Sequence, residues 1–124
     1  MVKKLKKLSR IISSTLSKNF NSEEIVYIAR ELERNFDIYE VSGFPSSMRL
    51  PAKDAADVVC RFFLEKKQLT ELVNVILGLN NKQFRGKMIY LKDIGALAKA
   101  IEDMGYEYNK ESKGIRMSEK DGKR

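Results

Sequence analysis

Few side chains in this sequence could do chemistry. There is no histidine and one cysteine, Cys60, so Ser-His-Asp triads, Cys-His pairs and histidine-based metal sites are excluded. The carboxylates of Asp54 and Asp57 fall on one face of a helix, a spacing that more often gives a solvated surface than an acid–base pair. Cys60 lies beside an apolar stripe, which favours a buried and unreactive thiol. We therefore predict a protein that is not an enzyme.

Glycine-rich phosphate loops are also missing from the sequence. Gly78, Gly86 and Gly95 stand singly, and neither a GxGxxG nor a GxxxxGK pattern occurs. A single cysteine cannot form an internal disulfide framework or a cysteine-based zinc site. The sequence therefore predicts no cofactor and no metal.

The formal net charge of +7 is concentrated at the two ends of the chain. Residues 1–20 contain six basic residues and no acidic one, whereas residues 21–106 contain 12 basic and 13 acidic residues. A protein with a basic groove for nucleic acid usually spreads its positive charge over the body of the domain. The near-neutral body therefore favours a protein partner or self-association, with nucleic acid as the less favoured partner.

The sequence predicts no membrane span, because no stretch reaches the roughly 20 apolar residues that one requires. Lys6, Lys7 and Arg10 interrupt any apolar core of a signal peptide after the basic start. We expect a cytoplasmic protein, since a lone thiol suits a reducing compartment.

The first helix has two possible roles. Its apolar stripe lies opposite its lysines and consists of Leu5, Leu8, Ile12 and Leu16. A helix of this kind can lie on an anionic membrane surface. The same stripe also suits packing inside a helical bundle, and we favour packing.

The fold is organised around residues 54–79, which hold the densest apolar run of the chain. Apolar residues recur there at spacings of three and four, so they share one face of each of two central helices. A polar step at residues 65–68 separates the helices. We predict that four residues are almost completely buried, namely Val59, Phe62, Val73 and Ile76.

The same periodicity predicts helices over about residues 3–16, 23–35, 52–66, 69–79 and 92–104. Asn21 and Glu24 have the spacing of a capping box at the start of the second helix. A short turn near residues 38–41 is expected to pack Ile38, Val41 and Phe44 under the bundle. The irregular stretch at residues 37–51 exposes Ser46, Ser47 and Arg49, and loops of this length can hold binding residues.

The fold class that follows is all-α, a bundle of five or six helices with a small C-terminal β-hairpin. Residues 1–105 form the bundle in this interpretation. Alternation and turn residues after Gly105 predict the hairpin over residues 106–117. The polar residues 118–124 are expected to be a disordered tail.

Two segments of the sequence resemble the bacterial death-like effector-associated domains of the death-fold superfamily. They are FNSEEI at residues 20–25, and ADVV at residues 56–59 followed by EKKQLTEL at residues 65–72. The resemblance covers about residues 5–80. It implies a non-catalytic adaptor that pairs with a similar domain through charged surfaces. For such an interaction module, the candidate partner-binding residues are Arg61, Glu65 and Glu71.

The competing interpretation is a nucleic-acid-binding protein similar to a winged helix. A short strand at residues 87–91 and a helix ending at residue 104 would precede a basic hairpin that acts as the wing. The candidate nucleic-acid-binding residues of that hairpin are Lys110, Lys113 and Arg116, whose cations would meet phosphates. The presumed recognition helix argues against this, because it offers a balanced set of charges without side chains suited to reading bases.

Overall fold

The computed structural model describes residues 2–92, 94–109 and 116–119, with side chains described for residues 5–92 and 94–106. This part of the chain forms six helices and two separate antiparallel hairpins. In chain order the elements are α1 (Val2–Asn19), α2 (Ser22–Leu32), α3 (Ile38–Ser42), α4 (Ala52–Glu65), α5 (Leu69–Gly78), β1 (Lys82–Phe84), β2 (Lys87–Ile89), α6 (Ile94–Asp103), β3 (Tyr106–Asn109) and β4 (Arg116–Glu119). The predicted helical bundle with a C-terminal hairpin is confirmed. None of these helices is long and apolar enough to cross a membrane.

Helix α1 packs its apolar stripe inward, against α4 and α6. Leu8, Ile12 and Leu16 are fully buried, which confirms the packed role of this helix. The helix continues to Asn19, three residues beyond its predicted end. Serine and threonine residues weaken an isolated helix at this point, but burial of the surrounding apolar residues outweighs that preference. Tertiary packing, and not local propensity, therefore sets the length of α1.

Helix α2 begins with the predicted capping box. The Oδ1 atom of Asn21 accepts a hydrogen bond from the Glu24 amide at 2.8 Å, and the Asn21 amide donates to Glu24 Oε1 at 2.9 Å. The helix ends at Leu32, earlier than the predicted Asn35. Phe36 still reaches the core, because a turn closed by the bond from its amide to the Glu33 carbonyl brings it there.

The short helix α3 corrects one expectation. Ile38 is buried as predicted, but Val41 is 41% exposed and does not pack under the bundle. Helix α3 has five residues and lies against α4 at the edge of the bundle. A helix this short turns only part of its surface to its neighbour, so Val41 points away although it lies one turn after Ile38.

The central pair α4 and α5 forms the middle of the core. Val59, Val73 and Ile76 have no exposed surface, as predicted. The prediction for Phe62 is wrong, because this ring is only half-buried and the neighbouring Phe63 is fully buried. Val59 and Phe63 are four residues apart and share the inner face of α4, which leaves Phe62 on its flank.

Phe62 belongs to an aromatic cluster at the edge of the core. Its ring meets those of Phe36 and Phe63 edge-on, each with ring centroids 5.1 Å apart. The ammonium group of Lys66 lies 5.1 Å from the centre of the Phe62 ring. The half-buried ring therefore has one side on the core and another against a cation.

The hairpin β1–β2 was not predicted, although β2 lies within the short strand that the winged-helix interpretation places at residues 87–91. Arg85 and Gly86 form its turn with φ values of 52° and 87°, a conformation that favours glycine and suits two-residue hairpins. Ile89 is buried, and the ring of Phe84 packs edge-on against Phe20 with centroids 5.8 Å apart. Two short strands joined by Arg-Gly give a weak signal, since Asn-Gly and Asp-Gly are the usual turn pairs.

The C-terminal hairpin is present, with β3 and β4 paired from Tyr106 opposite Glu119 to Asn109 opposite Arg116. Strand β3 lies within the predicted range 106–117, and β4 begins within it and extends to Glu119, so the first two residues of the expected 118–124 tail belong to β4. Residues 110–115 between the two strands lie outside the described residues. Residues 120–124 lie outside the described part of the chain. Strand β3 lies beside α6 and β4 beside α5, so the hairpin covers that side of the bundle.

Candidate functional site

A cleft of about 400 Å³ opens between α2, α3 and the loop that leads into α4. Its rim is polar and consists of Ser22, Glu23, Tyr27, Arg30, Tyr39 and Arg49. Its floor is apolar and consists of Val26, Ile38 and Leu50. We call this site the Arg–Tyr cleft. A shallower depression continues it along the same loop to Pro51 and Ala52.

Arg30 is held in place by the backbone. Its Nε atom donates a hydrogen bond to the carbonyl oxygen of Phe36 at 3.0 Å. This bond fixes the plane of the guanidinium and does not use its two Nη groups. The Nη groups are the donors with which arginine grips a carboxylate through two parallel hydrogen bonds. Arg30 is therefore an oriented anion-binding group at the rim of the cleft.

The β1–β2 turn contacts the part of the rim that Glu23 and Tyr27 form. The guanidinium carbon of Arg85 lies 4.1 Å from the centre of the Tyr27 ring. Its Nη1 atom lies 3.6 Å from Oε1 of Glu23. Arg85 therefore fixes the tyrosine by a cation–π contact and compensates the negative charge on the rim.

A second ion pair ties the same hairpin to α2. The Nζ atom of Lys87 lies 3.3 Å from Oε2 of Glu24, whose side chain is only 7% exposed. Glu24 also belongs to the capping box, so its carboxylate serves both the helix start and the hairpin. Arg85 and Lys87 of the β1–β2 hairpin are thus both paired with acids of α2.

The loop before α4 contributes Arg49 to the cleft, on the stretch where binding residues were expected. Leu50 next to it is 3% exposed and anchors the loop in the core. Ser46 and Ser47 are exposed and do not line the cleft. Met48 is 54% exposed, which places a large apolar side chain beside the cleft.

The candidate partner-binding residues from the sequence do not form one site. Arg61 lines a separate groove of about 270 Å³ between α1 and α4, together with Lys6 and Arg10. Glu65 is exposed one turn later on α4 and does not line this groove. Glu71 is exposed on α5, where its carboxylate accepts a hydrogen bond from the Thr70 hydroxyl at 3.2 Å. The structure therefore groups Arg61 with basic residues of α1 in this groove, and neither glutamate lines it.

The candidate nucleic-acid-binding residues can be placed only in part. Lys110 and Lys113 lie outside the described residues, and Arg116 is the first residue of β4. On the helix before the hairpin, Lys99 is exposed and Asp103 pairs with Lys7 of α1 at 3.7 Å. None of these described contacts assembles a basic surface.

Cys60 is buried as predicted, with 1% of its surface exposed. The pKa of its thiol is raised from 9.0 to about 12, first by burial and then by the nearby charge of Asp57, against a smaller lowering by a hydrogen bond with Ser9. The thiol is therefore protonated at neutral pH and is not a nucleophile. The described residues contain no cluster of three or more acids or cysteines that could hold a metal ion.

Sequence reasoning missed Tyr27, Arg30 and Tyr39 as binding residues. Tyr27 and Arg30 both belong to α2. Their spacing of three on one helix face was a usable signal, because it places an aromatic ring and a guanidinium side by side. Tyr39 and Arg49 join them only through tertiary structure.

No protein-family model, characterised protein or solved structure is significantly similar to this chain. Its function is therefore inferred from its own residues and their arrangement.

Proposed function

We propose that this protein is a non-enzymatic protein–protein interaction module that binds its partner through the Arg–Tyr cleft. One observation carries the proposal: two arginines and two tyrosines surround an apolar floor in the cleft. Arginine and tyrosine are among the residue types that contribute most to binding at protein interfaces. Tyrosine offers a flat apolar ring together with a hydroxyl group, so it serves apolar and polar contacts at once.

The residues of the cleft support binding more than catalysis. Glu23 is the carboxylate on its rim, and Arg85 holds it. The chain has no histidine that could act as a proton carrier at neutral pH. The remaining polar groups of the cleft are arginines, tyrosine hydroxyls and one serine. These groups can position a ligand, but they do not combine a nucleophile with a general base that would activate it.

The nucleic-acid alternative has less support. Among the described residues, Arg85 and Lys87 of the β1–β2 hairpin already pair with Glu23 and Glu24. A cation that pairs with a protein carboxylate is less available to a phosphate, because binding would first break the ion pair. The alternative therefore rests on the C-terminal hairpin.

We further propose that the interaction module is an adaptor similar to the death-like domains. Six helices in the described chain support it, with α1 beside α4 and α6 and with α2 beside α5. The partner can then be another domain or a second copy of this chain. Arg61, Glu65 and Glu71 are proposed as a further charged contact surface, and the protonated thiol of Cys60 fits the proposed cytoplasmic location.

Selection from a library of random displayed peptides tests the interaction function. The test compares the wild-type protein with Arg49→Glu, because Arg49 is exposed on a loop and its replacement leaves the core intact. Arg34→Glu is the matched control, since Arg34 is also exposed, follows α2 and does not line the cleft. We expect the wild type and the control to enrich related peptides that bind Arg49→Glu at least about tenfold more weakly. Failure to enrich any peptide, or equal binding by all three proteins, would contradict the proposal.

A further inference from the structure

We infer that the Arg–Tyr cleft takes an acidic segment of its partner and seats a carboxylate between Arg30 and Arg49. The inference rests on the proposed interaction function and names the chemistry of the partner. The ligand that fits is an aspartate or glutamate next to an apolar residue. The carboxylate would meet the rim, and the apolar side chain would meet the floor.

The orientation of Arg30 is the first argument. Its Nε–H is already bonded to the Phe36 carbonyl at 3.0 Å. The Nη edge is left as the donor pair, and a carboxylate matches that edge through two hydrogen bonds. Because the guanidinium is already held in the free protein, binding loses less side-chain entropy than it would with a mobile arginine.

The balance of charge is the second argument. Arg30 and Arg49 are the two cations among the residues that line the cleft, and Glu23 is the one anion. Arg85 does not line the cleft, but its Nη1 atom lies 3.6 Å from Oε1 of Glu23. The positive charge of Arg85 therefore compensates the negative charge of Glu23. The positive charges of Arg30 and Arg49 are therefore available to a ligand. They attract an acidic segment of a partner and repel a basic one.

The apolar floor narrows the ligand further. Ile38 is 5% exposed and Leu50 is 3% exposed, so these two floor residues are anchored in the core. A volume of about 400 Å³ lies in the range of pockets that hold a few side chains or a small ligand. A bare phosphate would leave this apolar surface uncovered. A peptide carboxylate with an apolar neighbour uses both parts of the cleft.

Three pools of fluorescent peptides test the inference with the full-length protein. Each pool has one fixed central residue, which is glutamate, glutamine or lysine, flanked by random positions. Fluorescence anisotropy is recorded at about 50 mM and about 300 mM salt, a range over which exposed charges are progressively screened. Glutamate and glutamine have nearly the same shape, so any difference between their pools reports the charge.

We expect the glutamate pool to bind about tenfold more tightly than the glutamine pool at low salt, which is the contribution of one charge-assisted bond. The preference should shrink at high salt. Arg49→Gln should reduce it to below about threefold, and Arg30→Lys should do the same because lysine keeps the charge but lacks the two-pronged geometry. Arg34→Gln should retain the full preference. Circular dichroism of each variant confirms that the helices are intact.

Two results would overturn the inference in different ways. Equal binding of the glutamate and glutamine pools, or tighter binding of the lysine pool, would reject the acidic ligand. If that binding still weakens in Arg49→Gln, the interaction function survives. Absence of binding by every pool would reject the inference and the proposed function together.

Discussion

The Nε atom of Arg30 donates a hydrogen bond to the carbonyl oxygen of Phe36, 3.0 Å away. This bond joins a residue on the rim of the Arg–Tyr cleft to a residue of the core. The ring of Phe36 packs edge-on against Phe62 and stacks with Phe63, at centroid distances of 5.1 and 6.2 Å. The aromatic cluster thereby determines where the guanidinium of Arg30 lies, so packing of the core and geometry of the site are coupled.

The two neighbouring phenylalanines of α4 should differ in their effect on stability. Phe63→Ala removes a fully buried ring and should lower the free energy of unfolding by about 3–5 kcal/mol. Phe62→Ala removes a half-buried ring, so we expect a loss of about half that size. Urea denaturation followed by circular dichroism measures both. An equal or larger loss for Phe62→Ala would contradict the observed orientation of α4.

Thr15 offers a route to a more stable protein. Within the described residues, its hydroxyl is the buried side-chain polar atom that has no hydrogen-bond partner. Thr15→Val replaces that hydroxyl with a methyl group of similar size, and should raise the free energy of unfolding by roughly 1 kcal/mol. Thr70→Val is the control, because the Thr70 hydroxyl donates to Glu71 at 3.2 Å. A lower urea midpoint for Thr15→Val than for the wild type would contradict this prediction, because it would show that the hydroxyl stabilises the fold.

The buried thiol of Cys60 should make the protein less stable at alkaline pH. Its pKa is about 12 in the folded chain, against an ordinary value of 9.0. Below pH 9.0 the thiol is protonated in both states, so its contribution to stability is fully present. As the pH rises above that value, the unfolded chain releases the proton first and stability falls until the folded pKa is passed.

Chemical denaturation at about pH 8 and about pH 10.5 measures this effect. Wild-type protein should lose on the order of 2 kcal/mol more than Cys60→Ala over this interval, since each unit of pH costs about 1.4 kcal/mol. Other groups titrate in the same interval, and they are common to both proteins. Equal losses would mean that the thiol ionises as easily in the folded chain as in the unfolded one.

Duplex DNA should bind weakly. We expect a dissociation constant no tighter than the non-specific range of about 10⁻⁴–10⁻⁶ M near physiological salt. The physical reason is that the positive charge is concentrated at the ends of the chain, while Arg85 and Lys87 pair with acids of α2. Fluorescence anisotropy of a random-sequence duplex across a salt series is the measurement. Nanomolar affinity that disappears when Lys110, Lys113 and Arg116 are changed to glutamate would favour the winged-helix interpretation.

Much of the fold could be predicted because its determinants are local. The apolar stripe of α1 is readable from spacing, and so is the capping box of Asn21 and Glu24. Phe62 and Val41 were misplaced because periodicity gives the direction of a helix face only to within about one residue. The β1–β2 hairpin was missed because it is held by long-range contacts, such as Phe84 with Phe20, more than by its turn sequence.

The candidate site was less predictable than the fold. Arg49 lies on the loop where binding residues were expected, but its neighbours in the cleft come from α2 and α3. The bond from Arg30 to Phe36 depends on a helix that ends at Leu32 and a turn that follows it. Neither the early end of α2 nor the position of Arg85 over Tyr27 has a signature in the sequence. Convergence of distant side chains is a property of the packed chain.

The most direct test of the Arg–Tyr cleft is an NMR titration of the ¹⁵N-labelled protein with the tightest peptide from the display selection. We predict that the largest amide shifts fall on residues that line the cleft, including Arg30, Tyr39 and Arg49. Amides around Arg61 in the α1–α4 groove should change little and serve as the internal reference. Shifts that instead cluster in that groove, or along β3 and β4, would contradict the assignment of the Arg–Tyr cleft as the partner-binding site.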